Sequence, residues 1–371
     1  MIVSCEKQVL QSACTVAMRA TASKSPIKAL EGLLLEAKDG SLKITGYNLR
    51  EGIYTKTKAD VKENGSVVLE ARFISEMLRR FPDGILTITS DANDNVTVKC
   101  GRSKIEFMGF SAEDYPEIPA VDELRSIVLP QKLLRSMINQ SIFAVSDSDI
   151  RPIYTGSLFE IEGDLLTVVS VDGYRLAKRT EKLEGAQMDN CEFVVPGAAL
   201  NDIERICTDE EGDVTISVGE KHIAFIIGET VVISRRLEGT FLNYRKSIPD
   251  AFKYEVKVER SEFMSSIERV ALVITEKNNS PIRMRFEDGN VDCRCLTSMG
   301  SAEDICVCEG NGENTEIGFN EKYMMDALKA AAKDEILICF NTSSAPCIIK
   351  AADGTENFTY MILPMRLRAG D

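Results

Sequence analysis

A chain of 371 residues is long enough for two to four domains, each with its own hydrophobic core. Hydrophobic residues make up 44% of it, which predicts a globular protein, and no apolar run approaches the roughly 18 residues needed to span a bilayer. The net charge of −14, from 44 basic and 58 acidic residues, excludes a uniformly basic nucleic-acid-binding surface but leaves room for a local basic track.

The predicted elements run in the same order three times along the chain, which indicates internal duplication. Each series has an amphipathic helix, then a strand that ends in an apolar residue, a glutamate and a turn glycine, then a second helix followed by alternating strands. The first helices are predicted over 7–19, 131–143 and 261–273, and the second helices over 72–81, 198–207 and 321–332. This order predicts α+β units rather than parallel βαβ units.

Two marker residues in the hairpin fix the length of this repeat. Successive glutamates are 124 and 127 residues apart, and successive turn glycines are 123 and 126 apart. The markers are Glu36, Glu160 and Glu287, and Gly40, Gly163 and Gly289. Such a unit is too long for a solenoid repeat, so we predict three tandem duplicated domains over 1–125, 126–250 and 251–371. Turn-rich connectors lie around 111–119 and 247–250, where prolines favour extended chain.

Four further segments have distinctive sequences. They are RPIYTGSLFE at 151–160, SVDGYRLA at 170–177, EGTFLNYR at 238–245 and YMILPMRL at 360–367. In this order, and within a threefold repeat, they resemble the beta subunit of bacterial DNA polymerase III, the beta sliding clamp family. The resemblance extends from about residue 1 to residue 367.

The resemblance implies a fold of three tandem DNA-clamp domains per chain. Two chains would join head to tail in a closed homodimeric ring, with helices inside and sheets outside. A head-to-tail contact has to close in this way, because otherwise it continues as a filament. The implied function is that of a processivity factor in DNA replication: a non-catalytic ring that encircles duplex DNA and tethers the polymerase to it.

The resemblance also implies the partners. They would be duplex DNA of any sequence, the replicative polymerase alpha-type subunit, the clamp loader, and repair proteins with clamp-binding peptides. A separate loader is expected because the chain has no Walker P-loop. No cofactor, metal, catalytic residue or membrane contact is implied. The first residues carry neither the basic nor the long apolar segment of a signal peptide, so we expect a cytoplasmic protein.

In this family a hydrophobic cleft between the second and third domains binds short peptides from the partners. Carried over by position, the cleft residues here are Arg151, Tyr154, Val171, Tyr174, Arg175, Leu176, Leu242, Lys246, Met361, Leu363, Pro364, Met365, Arg366 and Leu367. Leucine, valine and methionine would give an adaptable apolar floor, and Arg175 and Lys246 could hold peptide carbonyls or an acidic flank. Many relatives have His, Pro and Arg where this chain has Tyr174, Leu242 and Lys246.

Two charged surfaces follow from the same resemblance. Phosphate contacts without sequence reading are expected from Lys24, Arg72, Arg79 and Arg205. The ring joint would place one edge of the first domain against one edge of the third, so that opposite charges surround an apolar centre. The first edge is predicted to contain Lys99, Arg102, Lys104 and Ile105, and the second Leu272, Val273, Glu303 and Asp304.

Two other classes of function stay open at this stage. One is a tandem-domain protein scaffold that uses the cleft without DNA. The other is a metal-dependent enzyme, because Cys293, Cys295, Cys306 and Cys308 would share one face of paired strands. Zinc sites usually have two residues between cysteines rather than one, so buried core positions explain the pattern more simply. Eleven irregularly spaced cysteines also fit reduced thiols that act as small hydrophobes.

Other single residues give weaker signals. His222 is the only histidine and lies beside an apolar strand, with no nucleophile motif near it, so we predict no catalytic role. Asp147 and Asp149 could contact a divalent ion, but caps of a loop explain them more simply.

Overall fold

The computed structural model describes residues 1–183, 188–208, 211–275, 280–354 and 357–367. Its α-helices lie where the sequence predicts them, two in each repeat. They are α1 (Lys7–Ala17), α2 (Ala71–Arg80), α3 (Gln131–Asn139), α4 (Gly197–Ile206), α5 (Arg260–Ala271) and α6 (Glu321–Ala330). The largest difference is at α3, which ends at Asn139, whereas the prediction continued to Phe143. None of the helices in the described ranges is both long and apolar enough to cross a membrane.

The strands repeat with the helices. The first repeat has β1 (Ile2–Glu6), β2 (Gly32–Lys38), β3 (Ser41–Tyr47), β4 (Glu51–Lys58), β5 (Asp60–Glu63), β6 (Gly65–Glu70), β7 (Ile85–Ser90), β8 (Asn95–Cys100) and β9 (Ser103–Met108). The second has β10 (Arg125–Pro130), β11 (Gly156–Gly163), β12 (Leu165–Val171), β13 (Arg175–Lys182), β14 (Met188–Pro196), β15 (Asp213–Val218), β16 (His222–Ile227) and β17 (Thr230–Arg235). The third has β18 (Tyr254–Glu259), β19 (Ile282–Thr297), β20 (Gly300–Phe319), β21 (Glu335–Phe340), β22 (Cys347–Ala351) and β23 (Phe358–Ile362).

The helices form for local reasons that can be read from the sequence. Each begins directly after a strand or a short turn, and three have an acidic or amide side chain at the N-cap. Glu70 accepts a hydrogen bond from the Phe73 N–H at 3.0 Å, and Glu259 and Asn320 cap α5 and α6 in the same way. In α2 the buried residues Ala71, Ile74, Met77 and Leu78 recur at three- and four-residue spacing, which is the apolar face of an amphipathic helix.

The third predicted hairpin lies inside the long extended segment β19. Gly289 has a φ of 78°, the left-handed conformation that Gly40 and Gly163 also adopt at the ends of β2 and β11. The Arg285 guanidinium lies 3.0 Å from the Asp292 carboxylate. Residues seven apart in one straight strand would be about 23 Å apart, so the chain must reverse between these two residues. The predicted turn at Gly289 is therefore confirmed.

The chain divides into two compact units, and the division falls inside the second repeat. The first unit consists of Met1–Arg135 and Ala198–Arg236, and the second of Ser136–Gly197 and Leu237–Asp371.

In the first unit the strands form two antiparallel sheets, of order β5-β1-β7-β8-β9 and β10-β15-β16-β17-β4-β3-β2-β6. The second of these crosses a repeat boundary, because β17 pairs with β4 from Thr230↔Thr55 to Ser234↔Glu51. Helices α1 and α2 close the core of the first repeat with Leu10, Cys14, Ile74 and Leu78, all of which are buried.

The second unit contains one ten-stranded sheet of order β14-β11-β12-β13-β23-β22-β21-β18-β20-β19. It too crosses a repeat boundary, because β13 pairs with β23 from Arg175↔Ile362 to Arg179↔Phe358. We call this pairing the seam. One face of the sheet packs against α5 and α6 in a large core that contains Phe263, Phe286 and Phe319. The opposite face carries a second apolar cluster, and the predicted cleft lies there.

Candidate functional site

The floor of the predicted cleft is built by the strands at the seam. Val171 at the end of β12, Leu176 in β13 and Met361 in β23 belong to one apolar cluster on the face away from the helices. They are 2%, 1% and 7% exposed, so only a small part of each side chain could meet a ligand. These residues therefore pack within the domain junction, and their part in a cleft floor stays a prediction.

The β12–β13 turn presents Tyr174 to solvent. The Asp172 side chain accepts hydrogen bonds from the backbone N–H groups of Tyr174 at 2.8 Å and Arg175 at 3.0 Å. Gly173 has a φ of 98°, a conformation that a residue with a side chain rarely adopts. As a result the Tyr174 ring is 63% exposed, and it stacks on Tyr323 with 6.3 Å between the ring centroids.

Arg175 has a different role from the one expected from the sequence. Its side chain is buried, with Nε 2.9 Å from Asp172 Oδ2 and Nη1 2.6 Å from Asp326 Oδ2. The guanidinium also lies 4.5 Å from the centroid of the Tyr323 ring. Its charge is neutralised within the chain, so Arg175 holds the turn to α6. Its contact with peptide carbonyls stays a prediction.

The carboxyl-terminal segment forms one wall beside this turn. The Leu363 N–H donates to the Tyr174 carbonyl oxygen at 2.9 Å, and the Met365 N–H donates to the Gly318 carbonyl oxygen at 2.8 Å. A side chain at Gly318 would clash with Leu367, whose Cδ2 lies 2.5 Å from the position a Cβ would take. The segment is therefore fixed up to Leu367, and Leu363 is left 36% exposed.

The opposite wall is the connector between the second and third repeats. Leu242 is 39% exposed and Lys246 is exposed. Next to Leu242, the Phe241 ring meets Tyr154 edge to face, with 5.6 Å between centroids. The Arg151 guanidinium lies 5.7 Å from the centroid of the Tyr154 ring, so Arg151 is placed at this end of the cleft.

The predicted cleft residues have different roles in the structure. Two hydrophobic residues and one aromatic residue keep exposed surface, and we call them the rim: Leu242, Leu363 and Tyr174. Val171, Leu176 and Met361 are buried in the apolar cluster, and Arg175 is a support. Pro364 and Met365 are half-buried, whereas Arg366 is exposed at the end of the wall.

A cavity of about 500 Å³ adjoins the rim at Tyr174 and Arg175. Its other lining residues are mostly polar and include Asp147, Asp172, Glu321 and Lys322. Asp147 and Asp149 are exposed, and no group of three or more His, Cys, Asp or Glu side chains in the described residues is arranged to hold a metal ion.

The residues predicted to contact DNA all lie in the first unit and are exposed. Lys24 lies in the loop after α1, Arg72 and Arg79 are on α2, and Arg205 is on α4. Arg79 donates to both oxygens of Glu76, at 2.8 and 2.7 Å. Because this pair offsets its charge, Arg79 is a weaker candidate for a phosphate contact than Arg72 on the same helix.

The first predicted joint surface is larger than the sequence indicated. Lys99 in β8, Arg102 in the turn after it and Lys104 in the edge strand β9 are exposed, and Ile105 in β9 is half-buried. Arg102, Lys104 and Ile105 line a groove of about 770 Å³. Residues of α2 and of its C-cap, which were not predicted for this surface, line it too: Phe73, Glu76, Met77, Arg80 and Phe81. The groove therefore has an apolar base and a mainly basic rim.

The second predicted joint surface, in the second unit, is an exposed apolar ridge. Leu272 is 79% exposed, and Ile305 and Val307 on β20 are 64% and 66% exposed. The last two were missed, although the alternation of Cys306 and Cys308 with Ile305 and Val307 predicts apolar residues on both faces of the strand. Glu303 is exposed, Asp304 pairs with Arg269, and Val273 is half-buried against the core.

The four cysteines of the rival metal-site interpretation lie within the core. Cys293, Cys295, Cys306 and Cys308 are at most 7% exposed. Burial raises the pKa of Cys293 to about 12 and that of Cys306 to about 11, so these groups stay as neutral thiols near pH 7. Zinc binds thiolates, and an apolar core opposes their formation. His222 is the half-buried first residue of β16, and its carbonyl oxygen accepts a hydrogen bond from the Gly219 N–H at 2.9 Å.

Comparison with known families agrees with this arrangement over nearly the whole chain. Three family descriptions of the DNA polymerase III beta subunit match in order: the N-terminal domain over residues 1–119, the central domain over 128–243 and the C-terminal domain over 245–366. The three matched regions correspond to the three repeats of strand and helix order described above.

Individual proteins show the same similarity. The beta sliding clamps of Staphylococcus aureus and Bacillus subtilis are 30% and 29% identical, over 94% of this chain and 95% of theirs. A sliding clamp structure from Bacillus subtilis superposes with a TM-score of 0.95 at 28% identity, covering 99% of this chain and all of that one. A DNA polymerase III beta subunit structure from Eubacterium rectale has a TM-score of 0.93 at 32% identity, covering 98% and 99%. The chain therefore belongs to the DNA polymerase III beta subunit family and is a DNA sliding clamp, a non-catalytic component of DNA replication.

Proposed function

We propose that two copies of this chain close head to tail around duplex DNA and hold the replicative polymerase through the cleft at the seam. The observation that carries the proposal is the cleft itself. Leu242, Leu363 and Tyr174 stay exposed next in sequence to residues of the buried apolar cluster or of its strands, and a backbone hydrogen bond joins Leu363 to Tyr174. Apolar side chains held open to solvent in this way are typical of a binding groove.

The chemistry of the cleft suits a short peptide with leucine and phenylalanine side chains. Such residues would bury against Leu242, Leu363 and the floor, and each buried apolar side chain contributes about 1.5–3 kcal/mol before ordering costs. Met361 and Met365 can repack around different sequences, which suits a site that serves several partners. We propose that these partners are the polymerase, the clamp loader and repair proteins.

The charge distribution supports contact with DNA by the first unit. Lys24, Arg72 and Arg205 are exposed cations on a chain whose net charge is −14. A few phosphate contacts carry no sequence information and break easily, which sliding requires. The remaining negative surface would discourage binding elsewhere on the chain. In this arrangement, enclosure holds the protein on DNA and the cations orient it.

The homodimer would form between the groove on the first unit of one copy and the ridge on the second unit of its partner. Phe73, Met77 and Ile105 supply the apolar base of the groove, and Leu272, Ile305 and Val307 form the ridge. The basic rim, Arg102 and Lys104, would face the acidic Glu303. Opposite charges around an apolar centre steer association and fix the register.

We further propose domain boundaries near residues 125 and 250, giving clamp domains over 1–125, 126–250 and 251–371. The connectors after β9 and after β17 fall at these positions. Since the protein acts on DNA inside the cell, we propose a cytoplasmic location.

The cleft is tested by a fluorescence titration with a labelled peptide from the organism's replicative polymerase. Replacing Leu363 and Met365 together by alanine should weaken binding by at least about 30-fold, because two apolar contacts are lost. The matched control is Leu165→Ala, which shortens an exposed leucine (41%) outside the cleft. Equal affinity of the double variant and the unmodified chain would reject the cleft.

A further inference from the structure

The connector between the second and third repeats lies across the sheet face that carries the cleft. We call residues 237–253 the strap. At one end the Leu237 N–H donates to the Val194 carbonyl oxygen at 3.0 Å, and at the other the Lys253 N–H donates to Asn341 Oδ1 at 2.6 Å. Between these ends, Tyr244 packs into the apolar cluster with side chains from β11, β12, β13, β21, β22 and β23. The strap therefore covers both sides of the seam.

One carboxylate holds the middle of the strap. The Tyr244 hydroxyl donates to Glu160 Oε2 at 2.5 Å. The Arg245 guanidinium donates to Glu160 Oε1 at 2.9 Å and to Oε2 at 2.7 Å, and reaches Glu162 at 2.9 Å. The Glu160 side chain is only 12% exposed and the Tyr244 residue 3%. A bidentate pair that is partly shielded from water is stronger than a surface ion pair.

Comparison among the repeats shows that this use of the glutamate is specific to the second one. Glu36 and Glu287 hold the equivalent marker positions in the first and third repeats. They pair within their own hairpins, Glu36 with Lys43 at 3.0 Å and Glu287 with Arg285 at 3.0 Å, and their side chains are 40% and 37% exposed. Glu160 instead bonds a connector 84 residues away in the chain.

The anchored tyrosine is central to one wall of the cleft. Leu242 and Lys246 lie two residues before and two residues after Tyr244, and both are exposed. We propose that Glu160 is a positioning residue for peptide binding: through Tyr244 and Arg245 it sets the strap so that Leu242 and Lys246 face the peptide. Glu160 itself does not contact the ligand. This inference rests on the proposed function of the cleft.

Three variants test the proposal with the same labelled polymerase peptide. Glu160→Gln keeps an acceptor for Tyr244 but loses the charged pair with Arg245, and it should weaken peptide binding by about tenfold. Tyr244→Phe keeps the packing and loses the hydroxyl bond, and should weaken it by about threefold. The matched control, Glu36→Gln, removes the equivalent glutamate of the first repeat and should leave the affinity unchanged.

A double-mutant cycle separates positioning from general loss of stability. If Glu160 acts through the strap, adding Glu160→Gln to a Leu242→Ala, Lys246→Ala variant should weaken peptide binding by less than about a further twofold. The wall that Glu160 positions is already lost in that variant. The chain contains no tryptophan, so Leu242→Trp gives a single reporter of the strap. Its fluorescence anisotropy should fall when Glu160→Gln is added, in a protein that still melts cooperatively.

The outcomes distinguish the two proposals. If the unmodified chain binds the peptide, and Glu160→Gln binds it as tightly or loses the same factor in both backgrounds, the positioning role is wrong and the cleft stands. If the unmodified chain does not bind the peptide, the cleft itself is rejected and the positioning role falls with it.

Discussion

Glu51 and Arg175 hold equivalent positions in the first and second repeats but carry opposite charges. Each is the first residue of the strand that pairs with the next repeat, β4 for Glu51 and β13 for Arg175. Each follows a turn in which a side-chain oxygen, from Asn48 or from Asp172, accepts hydrogen bonds from the backbone N–H groups two and three residues later. Both residues are deeply buried, at 6% and 7% exposed.

The partners of these two residues are also equivalent in position. Asp326, the sixth residue of α6, accepts a hydrogen bond from Arg175 at 2.6 Å. Asp202, the sixth residue of α4, lies close to Glu51 and is instead paired with Arg19 at 3.3 Å. Arg19 therefore pairs with the Asp202 carboxylate, and Glu51 Oε1 has no hydrogen-bond partner within the described ranges. Burial and the Asp202 carboxylate raise the pKa of Glu51 to about 8.

This arrangement predicts that Glu51 makes the fold less stable as the pH rises. Below about pH 4.5 the Glu51 carboxyl is protonated in both the folded and the unfolded chain, so its ionisation does not reduce the stability of the fold. Between about pH 4.5 and 8 only the unfolded chain ionises, so stability is lost, and above pH 8 the loss is complete. Glu51→Gln should therefore raise the free energy of unfolding by on the order of 5 kcal/mol at pH 9 and by almost nothing at pH 4.5.

Urea titrations at these two pH values check the prediction. Glu229→Gln is the control, because it removes an exposed glutamate directly before β17, the strand that pairs with β4. If Glu51→Gln raised the free energy of unfolding equally at pH 4.5 and pH 9, the buried carboxyl would not titrate in this window.

The joint of the dimer should depend on the ridge rather than on Val273. Val273 packs against the core, so its replacement would test folding. Leu272→Asp together with Ile305→Asp places charge on exposed apolar side chains and should raise the dimer dissociation constant at least about 100-fold. Sedimentation velocity would then give monomers. The control variant Leu124→Asp, at a 69% exposed leucine outside the ridge, should stay dimeric. If the double variant also stayed dimeric, this placement of the dimer interface would be wrong.

Contact with DNA should weaken steeply with salt and depend unequally on the two arginines of α2. Each phosphate contact contributes about 0.9 to the slope of log K against log salt concentration. Arg72→Ala should reduce the magnitude of this slope by about 0.9, the contribution of one phosphate contact. Arg79→Ala should change the slope less, because Glu76 already pairs with Arg79. Anisotropy of a labelled duplex over a potassium chloride series measures both slopes. A larger effect of Arg79→Ala would contradict the assignment.

The cysteines should be unreactive in the folded protein. Ten of the eleven are buried, and Cys191 is half-buried. Burial raises the pKa of Cys5 and Cys207 to about 11, so attack by the thiolate is suppressed at pH 8. A thiol-reactive dye should label about one cysteine per chain quickly and the remainder only in denaturant. Fast labelling of four cysteines per chain, or one equivalent of zinc per chain by elemental analysis, would support the metal site instead.

Much of this structure could be predicted because its signals are local. Apolar spacing predicted the six helices, and the turn glycines Gly40, Gly163 and Gly289 predicted the hairpins, since a left-handed φ at a turn depends on the residue itself. The resemblance predicted the cleft, and residues of β12, β13, β23 and the strap share one apolar cluster on that face of the sheet.

The residues that could not be predicted depend on contacts distant in the sequence. The ion pair of Arg175 is one example, because nothing beside it in the chain indicates that Asp326, 151 residues later, neutralises it. The groove at Phe73 was missed because an aromatic residue on a helix usually belongs to the core. The role of Glu160 was hidden for the same reason, since its partner Tyr244 is in a connector.

The central claim, that enclosure holds the protein on DNA, is tested most directly by retention on circular DNA. The clamp is loaded with the organism's clamp loader and ATP onto a nicked circular plasmid, and protein bound to DNA is separated by gel filtration in high salt. We predict that it stays on the circle and leaves within minutes once a restriction enzyme linearises the plasmid, because a ring slides off a free end. Equal retention on circular and linear DNA, or none on the circle, would contradict the account and favour a scaffold that does not encircle DNA.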